Sequence, residues 1–209
     1  MRGKFITLEG IDGAGKSTHL NWLAGFLKDR GVRIKQTREP GGTAFGEKLR
    51  ELLLDRNQRL HAETEALLMF AARREHIDKT ILPALDAGHW VLCDRFTDAT
   101  YAYQSGGSGV AWNKVASLEQ WIQQGLQPDL TLLFDVSPEV GRQRARQGRT
   151  ADRFEREEKA YFRRVRQAYL QRARECPERV HVVDANGSIS TVRSKLEALL
   201  SKLVAGAKE

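Results

Sequence analysis

The residues Gly10-Ile11-Asp12-Gly13-Ala14-Gly15-Lys16-Ser17, followed by Thr18, spell G-x-x-x-x-G-K-S. Few short patterns restrict a fold so strongly. The five residues before it, Phe5-Ile6-Thr7-Leu8-Glu9, read as a buried strand, and Leu20, Leu23 and Leu27 after it predict a helix beginning near Gly15. Strand, glycine loop and helix together form the context in which the pattern cradles phosphate. The glycines let backbone N–H groups of residues 10–18 turn toward phosphate oxygens, the helix N-terminus adds a favourable field, and Lys16 can reach the β- and γ-phosphates. Ser17 is placed to offer its hydroxyl to Mg²⁺. The plainer reading, a glycine-rich turn before an ordinary helix, must treat strand, lysine and serine as coincidence. The pattern implies a bound nucleoside triphosphate.

The chain has 209 residues, enough for one α/β domain (1–209) with a sizeable core. No apolar run approaches the roughly 20 residues of a membrane span. Met1-Arg2-Gly3-Lys4 leads directly into the first strand, so no signal peptide is expected. Cys93 and Cys176 lack metal-ligand spacing and imply no disulfide framework, which makes a reducing cytoplasm the expected location.

The net charge of +7 is concentrated: residues 142–179 hold 13 basic and 6 acidic side chains, and the rest of the chain is balanced. Such a segment suits nucleic acid, a phosphorylated small molecule or a solvated helix face, the last being usual for most of its members. No aromatic platform or nucleic-acid motif accompanies it, so no nucleic-acid partner is expected.

Along the chain, strands and helices alternate. Short strands are predicted at 34–37, 90–94, 130–135 and 180–184. Helices are predicted at 45–54, through Val115, Leu118 and Ile122, at 139–147, at 155–174 and at 189–204. A long helical stretch covers 63–87, with Pro83 kinking it near its end. The run Trp90-Val91-Leu92-Cys93 is apolar enough to be buried on both faces. Five strands separated by helices argue for an α/β fold, a five-stranded parallel sheet with helices on both faces.

Three further stretches distinguish among P-loop proteins: Thr37-Arg38-Glu39-Pro40-Gly41-Gly42-Thr43, then Asp94-Arg95-Phe96 followed by Tyr101-Ala102-Tyr103-Gln104-Ser105-Gly106-Gly107, then R-T-A-D-R-F-E at 149–155. With the phosphate loop, and in this order, they resemble the bacterial thymidylate kinases from about Gly3 to Asp184. The resemblance implies a P-loop nucleoside monophosphate kinase-like fold and transfer of the γ-phosphoryl group of ATP to dTMP, with Mg²⁺, in a cytoplasmic homodimer bearing a short lid at about 142–155.

The residues are compatible with that chemistry. Ligands of parallel sheets sit beyond the carboxyl ends of the strands, where Asp12, Arg38, Asp94 and Arg95 all fall. Phosphoryl transfer between nucleotides needs charges clamped and neutralised more than it needs a nucleophile from the protein. The five histidines (19, 61, 76, 89 and 181) are scattered, and none is expected to be catalytic. Carried over from the family, Arg95 and Arg38 would hold the acceptor phosphate, Asp94 would act on Mg²⁺ directly or through water, and Asp12 would accept from the sugar 3′-hydroxyl. Arg50 would support the phosphate; Arg73, Thr100 and Gln104 would read the base, with Met69 or Phe70 against its face. Arg50 and Arg73 also read as exposed helix charges, and Met69 or Phe70 as plain core. The loop carries Asp12 and Ala14 and no arginine, so Lys16 and Arg95 would share the transferred charge with Arg149 or Arg153 of the lid. Arg142, Arg144 and Arg146 precede the lid, and one of them could stack on adenine, because the loop near Asp184-Ala185-Asn186 has no aromatic.

Two other classes fit less well. A GTP-hydrolysing switch needs N-K-x-D, and the nearest match, Asn113-Lys114-Val115-Ala116, lacks the aspartate. A nucleic-acid-stimulated ATPase would use the basic segment, but that charge clusters around the expected lid.

Overall fold

The structure is a computed structural model that describes residues 2–55, 57–145 and 159–205. Five parallel strands form one sheet: β1 (Phe5–Glu9), β2 (Ile34–Arg38), β3 (Trp90–Asp94), β4 (Leu130–Asp135) and β5 (Val180–Asp184), in the order β2-β3-β1-β4-β5. Side chains of the central strands divide by alternation. Ile6 and Leu8 of β1, with Trp90 and Leu92 of β3, face one layer; Phe5, Val91 and Cys93 face the other. Helices α1 (Lys16–Lys28), α8 (Lys159–Glu175) and α9 (Ile189–Ala205) supply the first layer through Leu23, Leu27, Val165, Tyr169, Leu196 and Leu200. The second layer is made by Ile77, Ile81, Ala84 and Leu85. β2 is an edge strand and is partly exposed, as its Lys35-Gln36 pair requires.

The predicted 63–87 helix is not continuous. It divides into α3 (Ala62–His76), a π-helical turn (Ile77–Ile81) and α4 (Leu82–Asp86), with Pro83 in the first turn of α4. The Leu82 N–H bonds back to the Ile77 carbonyl, a wide turn directly before the proline. Proline in a regular helix clashes with the carbonyl four residues back, and widening that turn relieves the clash. A second π-helical segment, Tyr101–Gly107, follows α5 (Thr97–Thr100). Sequence periodicity did not reveal either. The remaining helices are α2 (Ala44–Leu54), α6 (Trp112–Gln123) and α7 (Pro138–Ala145).

Register determines where the site lies. Arg38 and Leu8 both pair with Asp94, so the carboxyl ends of β1, β2 and β3 come level. From β1 the chain crosses to the β2 edge, and from β3 it crosses to β4 on the other side of β1. The loops leaving these neighbouring strands therefore diverge and open a crevice between them.

Several members of the basic segment are not on a solvated face. Arg172 and Arg179 are buried and converge on Asp98 at 2.7–2.9 Å, and Arg179 also donates to Thr131 Oγ1 at 3.0 Å. Arg166 makes a bidentate pair with Asp135 at 2.6 and 2.8 Å. These arginines tie α8 and β5 to the sheet.

Candidate active site

The crevice holds a cavity of about 630 Å³. Its donor-side floor is the phosphate loop. Gly15 caps α1 at a φ of 92°, so the first helical N–H groups point into the cavity, which Asp12, Gly13, Gly15, Lys16, Ser17 and Thr18 line. Gly10, Ile11 and Ala14 lie behind this lining, the last two buried in the core. Gly13 has a steric reason to be glycine: a Cβ there would sit 1.9 Å from the Gly141 carbonyl oxygen of α7. The Lys16 ammonium donates to the carbonyls of Gly10 at 2.9 Å and Ile11 at 3.1 Å. Burial pushes its pKa down, the Arg95 charge adds to this, and Asp94, Asp12 and Glu9 oppose it.

Opposite lies the end of β3. Arg95 has a φ of 70°, a left-handed conformation that a non-glycine residue adopts only when its surroundings impose it. Its guanidinium donates to Asp12 Oδ1 at 2.8 Å, Tyr103 Oη at 3.0 Å and Tyr169 Oη at 3.1 Å. Burial disfavours this charge, but Tyr103, Asp12, Tyr169 and Asp94 outweigh it and hold the pKa well above its ordinary value. Asp94 beside it keeps Oδ1 buried with no hydrogen-bond partner among the described residues. Arg38 donates to Glu47 Oε2 at 2.8 Å, and Arg50 to the Pro40 carbonyl at 2.9 Å; both line the cavity.

The far end is built by α3, α5 and the 101–107 segment. Arg73 is 2% exposed and so is not a surface charge. Its Nε donates to Glu39 Oε2 at 2.8 Å and its Nη2 to Thr100 Oγ1 at 3.1 Å, while Nη1 is buried with no partner among the described residues. Glu39 Oε1 contacts His76 Nδ1 at 2.9 Å, and His76 Nε2 contacts Thr37 Oγ1 at 2.6 Å. Burial works against the Glu39 carboxylate, yet Arg73 and His76 together hold its pKa below the ordinary range. Gly42 closes the turn above: with a φ of 77°, a Cβ would stand 2.5 Å from the His76 ring. Gln104 Nε2 donates to Glu65 Oε2 at 3.3 Å, which orients the amide.

Met69 lines the cavity and Phe70 does not. Phe70 packs in a core cluster with Tyr101, Val110 and Val115, so its expected place against a ligand base is corrected. One residue of offset on α3 turns its ring inward, where the Arg73 guanidinium stacks over it at 4.5 Å. Arg144 lines the donor end and donates to the carbonyls of Ala185 at 2.8 Å and Asn186 at 3.3 Å. Arg146, Arg149 and Arg153, and most of the expected lid, lie outside the described residues. None of the five histidines lines the cavity; His76 acts behind it through Glu39.

Sequence reasoning missed Glu9, Glu39, Glu65, Tyr103 and Tyr169. Glu39 and Tyr103 lie inside the quoted motifs, where nothing in the pattern assigns them a role. Glu65, one helical turn before Met69, and Tyr169, a core position of α8, carry no local signal, because only the folded chain brings them to Gln104 and Arg95.

A phosphate loop facing an arginine-rich crevice across one sheet edge is the arrangement of the P-loop nucleoside monophosphate kinases. The family model described as thymidylate kinase matches residues 8–196. Thymidylate kinase of Nitrosospira multiformis is 62% identical over 205 residues, covering 98% of this chain and 100% of that protein. The Cupriavidus metallidurans thymidylate kinase is 59% identical, covering 97% and 100%. The crystal structure of thymidylate kinase from Ehrlichia chaffeensis superposes with a TM-score of 0.78 at 34% identity, over 96% of this chain and 99% of that one. The chain belongs to the thymidylate kinase family. Among the described residues, no helix is long and apolar enough to cross a membrane.

Proposed function

We infer that the chain transfers the γ-phosphoryl group of ATP to dTMP, giving dTDP and ADP. The observation that carries this reading is the separation of the cavity into a backbone phosphate cradle at one end and a buried, hydrogen-bonding pocket at the other, with Arg95 between them. An acceptor phosphate oxygen attacks the γ-phosphorus while the bond to the β–γ bridging oxygen breaks, so no protein nucleophile is required. Lys16 and Arg95 balance the charge that moves, and Arg38 and Arg50 hold the acceptor phosphate. The Nη1 of Arg73, without a partner among the described residues, supplies with Thr100 and Gln104 the polar groups for a base, and Met69 supplies an apolar wall. Asp12 accepts from the acceptor sugar. Arg149 and Arg153 are the sequence-based candidates for a lid cation.

The residues fit Mg²⁺. Asp94 keeps a buried carboxylate oxygen without a partner among the described residues, and Ser17 lines the same cavity. Bound with nucleotide, the ion would neutralise the β- and γ-phosphate oxygens, held by Asp94 and Ser17 rather than by an all-protein cage. Assembly as a homodimer is supported by Phe45 and Leu52 of α2, Leu67 of α3 and Trp121 of α6, large apolar side chains exposed on adjacent helices.

The test is a panel of nucleoside monophosphates with Mg·ATP, assayed for diphosphate. dTMP should turn over fastest; equal or faster turnover of AMP, GMP or CMP overturns the acceptor assignment. Light scattering after chromatography should give a dimer, and Trp121→Asp should shift it toward monomer.

A further inference from the structure

Glu9 ends β1, directly before the phosphate loop, yet it does not line the cavity. Its carboxyl group is fully buried and reaches across the sheet to the acceptor side. Oε1 accepts the Phe96 N–H at 2.6 Å, and Oε2 accepts the Tyr169 hydroxyl at 2.8 Å. Both partners adjoin Arg95. Phe96 N–H belongs to the peptide that Arg95 must rotate in adopting a φ of 70°, and the Tyr169 oxygen accepts Arg95 Nη1 at 3.1 Å. The Arg95 N–H is fixed by the Leu8 carbonyl at 3.0 Å and its carbonyl by Cys93 Sγ at 3.0 Å. The left-handed backbone of Arg95 is therefore fastened on both sides, and one end of its guanidinium is fastened too.

We propose that Glu9 is a positioning residue for Arg95, setting its backbone through Phe96 and its guanidinium through Tyr169 so that it can grip the acceptor phosphate. The proposal rests on the reading of Arg95 as the acceptor-phosphate residue. A carboxyl group is a costly choice for this position. Burial pushes the Glu9 pKa up to about 8, with Asp98 adding to the shift and Arg95, the Phe96 N–H and Tyr169 opposing it. An apolar side chain would avoid that cost, but it would leave the Phe96 N–H and the Tyr169 hydroxyl without acceptors.

Position in the chain makes a discriminating test available. A residue that merely supported the fold here would disturb its sequence neighbour, the phosphate loop, before it disturbed Arg95. Calorimetric binding of dTMP and of ADP should be measured separately on Glu9→Leu, Glu9→Gln and Tyr169→Phe. Glu9→Leu should weaken dTMP roughly tenfold or more and Tyr169→Phe roughly fivefold, both leaving ADP within about threefold of wild type. Glu9→Gln, which keeps an acceptor for Phe96 but turns an amide donor toward the Tyr169 hydroxyl, should restore dTMP binding only in part, to about the loss seen in Tyr169→Phe. Tyr169→Phe removes a single hydroxyl and keeps the test open if Glu9→Leu fails to fold. Unchanged dTMP affinity in Tyr169→Phe, or a loss of ADP binding equal to the loss of dTMP binding, overturns the proposal. Arg95→Lys separates the two readings. If it leaves dTMP binding intact, the role of Arg95 itself is wrong; if it weakens dTMP binding while the Glu9 and Tyr169 variants do not, only the positioning role fails.

Discussion

The two ends of the cavity are built by different means. The donor end is made of backbone: helical N–H groups behind Gly15, and a lysine folded onto the carbonyls of its own loop at most six residues away. The acceptor end is made of side chains that reach each other across long stretches of chain, Arg73 to Glu39, Gln104 to Glu65 and Arg95 to Tyr169. A backbone cradle binds phosphate whatever nucleoside carries it. A pocket of mutually hydrogen-bonded side chains is shaped for one occupant, and its cost falls on folding rather than on binding. Stability and selectivity should therefore be concentrated at the acceptor end, and turnover at the donor end.

The largest expected effect tests the stability half of that contrast. Among the described residues, Arg73→Ala leaves the buried Glu39 carboxylate paired with His76 alone, and breaking a buried pair costs about 3–5 kcal/mol. Urea unfolding should show a loss of that size. Replacing both partners, as Glu39→Leu with Arg73→Met, should recover much of the stability without recovering dTMP binding. A loss under about 1 kcal/mol in Arg73→Ala would mean that the pocket is held by something else.

Lys16→Ala should do the opposite. Its side chain spans only loop carbonyls and cavity, so the melting temperature should stay near wild type. Removing its charge from the transferred phosphoryl should lower kcat roughly 10²-fold or more, equivalent to about 2.7 kcal/mol. Near-normal kcat in a folded variant would break the comparison at the donor end.

The same contrast explains what was legible in the sequence. A phosphate loop is a local object whose glycines, lysine and serine are spaced by the backbone that uses them, and β1, β3, β4 and β5 were legible as short apolar runs for the same reason. From its own spacing Arg73 reads as a helix arginine, and only the family resemblance pointed it at a base, because Glu39 lies 34 residues earlier and becomes its partner only in the folded sheet. Met69 and Phe70 are equally apolar neighbours, and only the rotation of α3 assigns one to the cavity and the other to the core. The Ile77–Ile81 and Tyr101–Gly107 segments escaped because their wide turns blur the helical period. Arg172 and Arg179 were hidden within a basic run whose acidic partner, Asp98, lies some 74–81 residues earlier.

Gln104→Ala sharpens the comparison within the acceptor end. The amide is oriented by Glu65, and deleting it leaves a base atom and the glutamate each one hydrogen bond short. That typically costs about 1–3 kcal/mol. The variant should bind dTMP more weakly and discriminate less among monophosphates, whereas Arg95→Ala should weaken every monophosphate alike. Wild-type selectivity in Gln104→Ala would move the base pocket elsewhere.

The smallest effect probes a place where the donor end depends on a distant side chain. Arg144 on α7 crosses to the loop after β5, donating to the Ala185 and Asn186 carbonyls, and its planar guanidinium lines the cavity at the end where an adenine would project. Stacking of a base on a partly exposed guanidinium is worth about 0.5–1 kcal/mol, a two- to fivefold effect on ATP affinity. Charge alone could give an effect of similar size by attracting phosphate, so Arg144→Ala by itself does not identify the cause. Arg144→Lys does, because lysine keeps the charge and loses both the plane and the forked donors that grip two carbonyls. If stacking matters, Arg144→Lys and Arg144→Ala should raise the KM for ATP equally and leave dTMP binding unchanged; if the lysine variant matches wild type, Arg144 serves only as a charge.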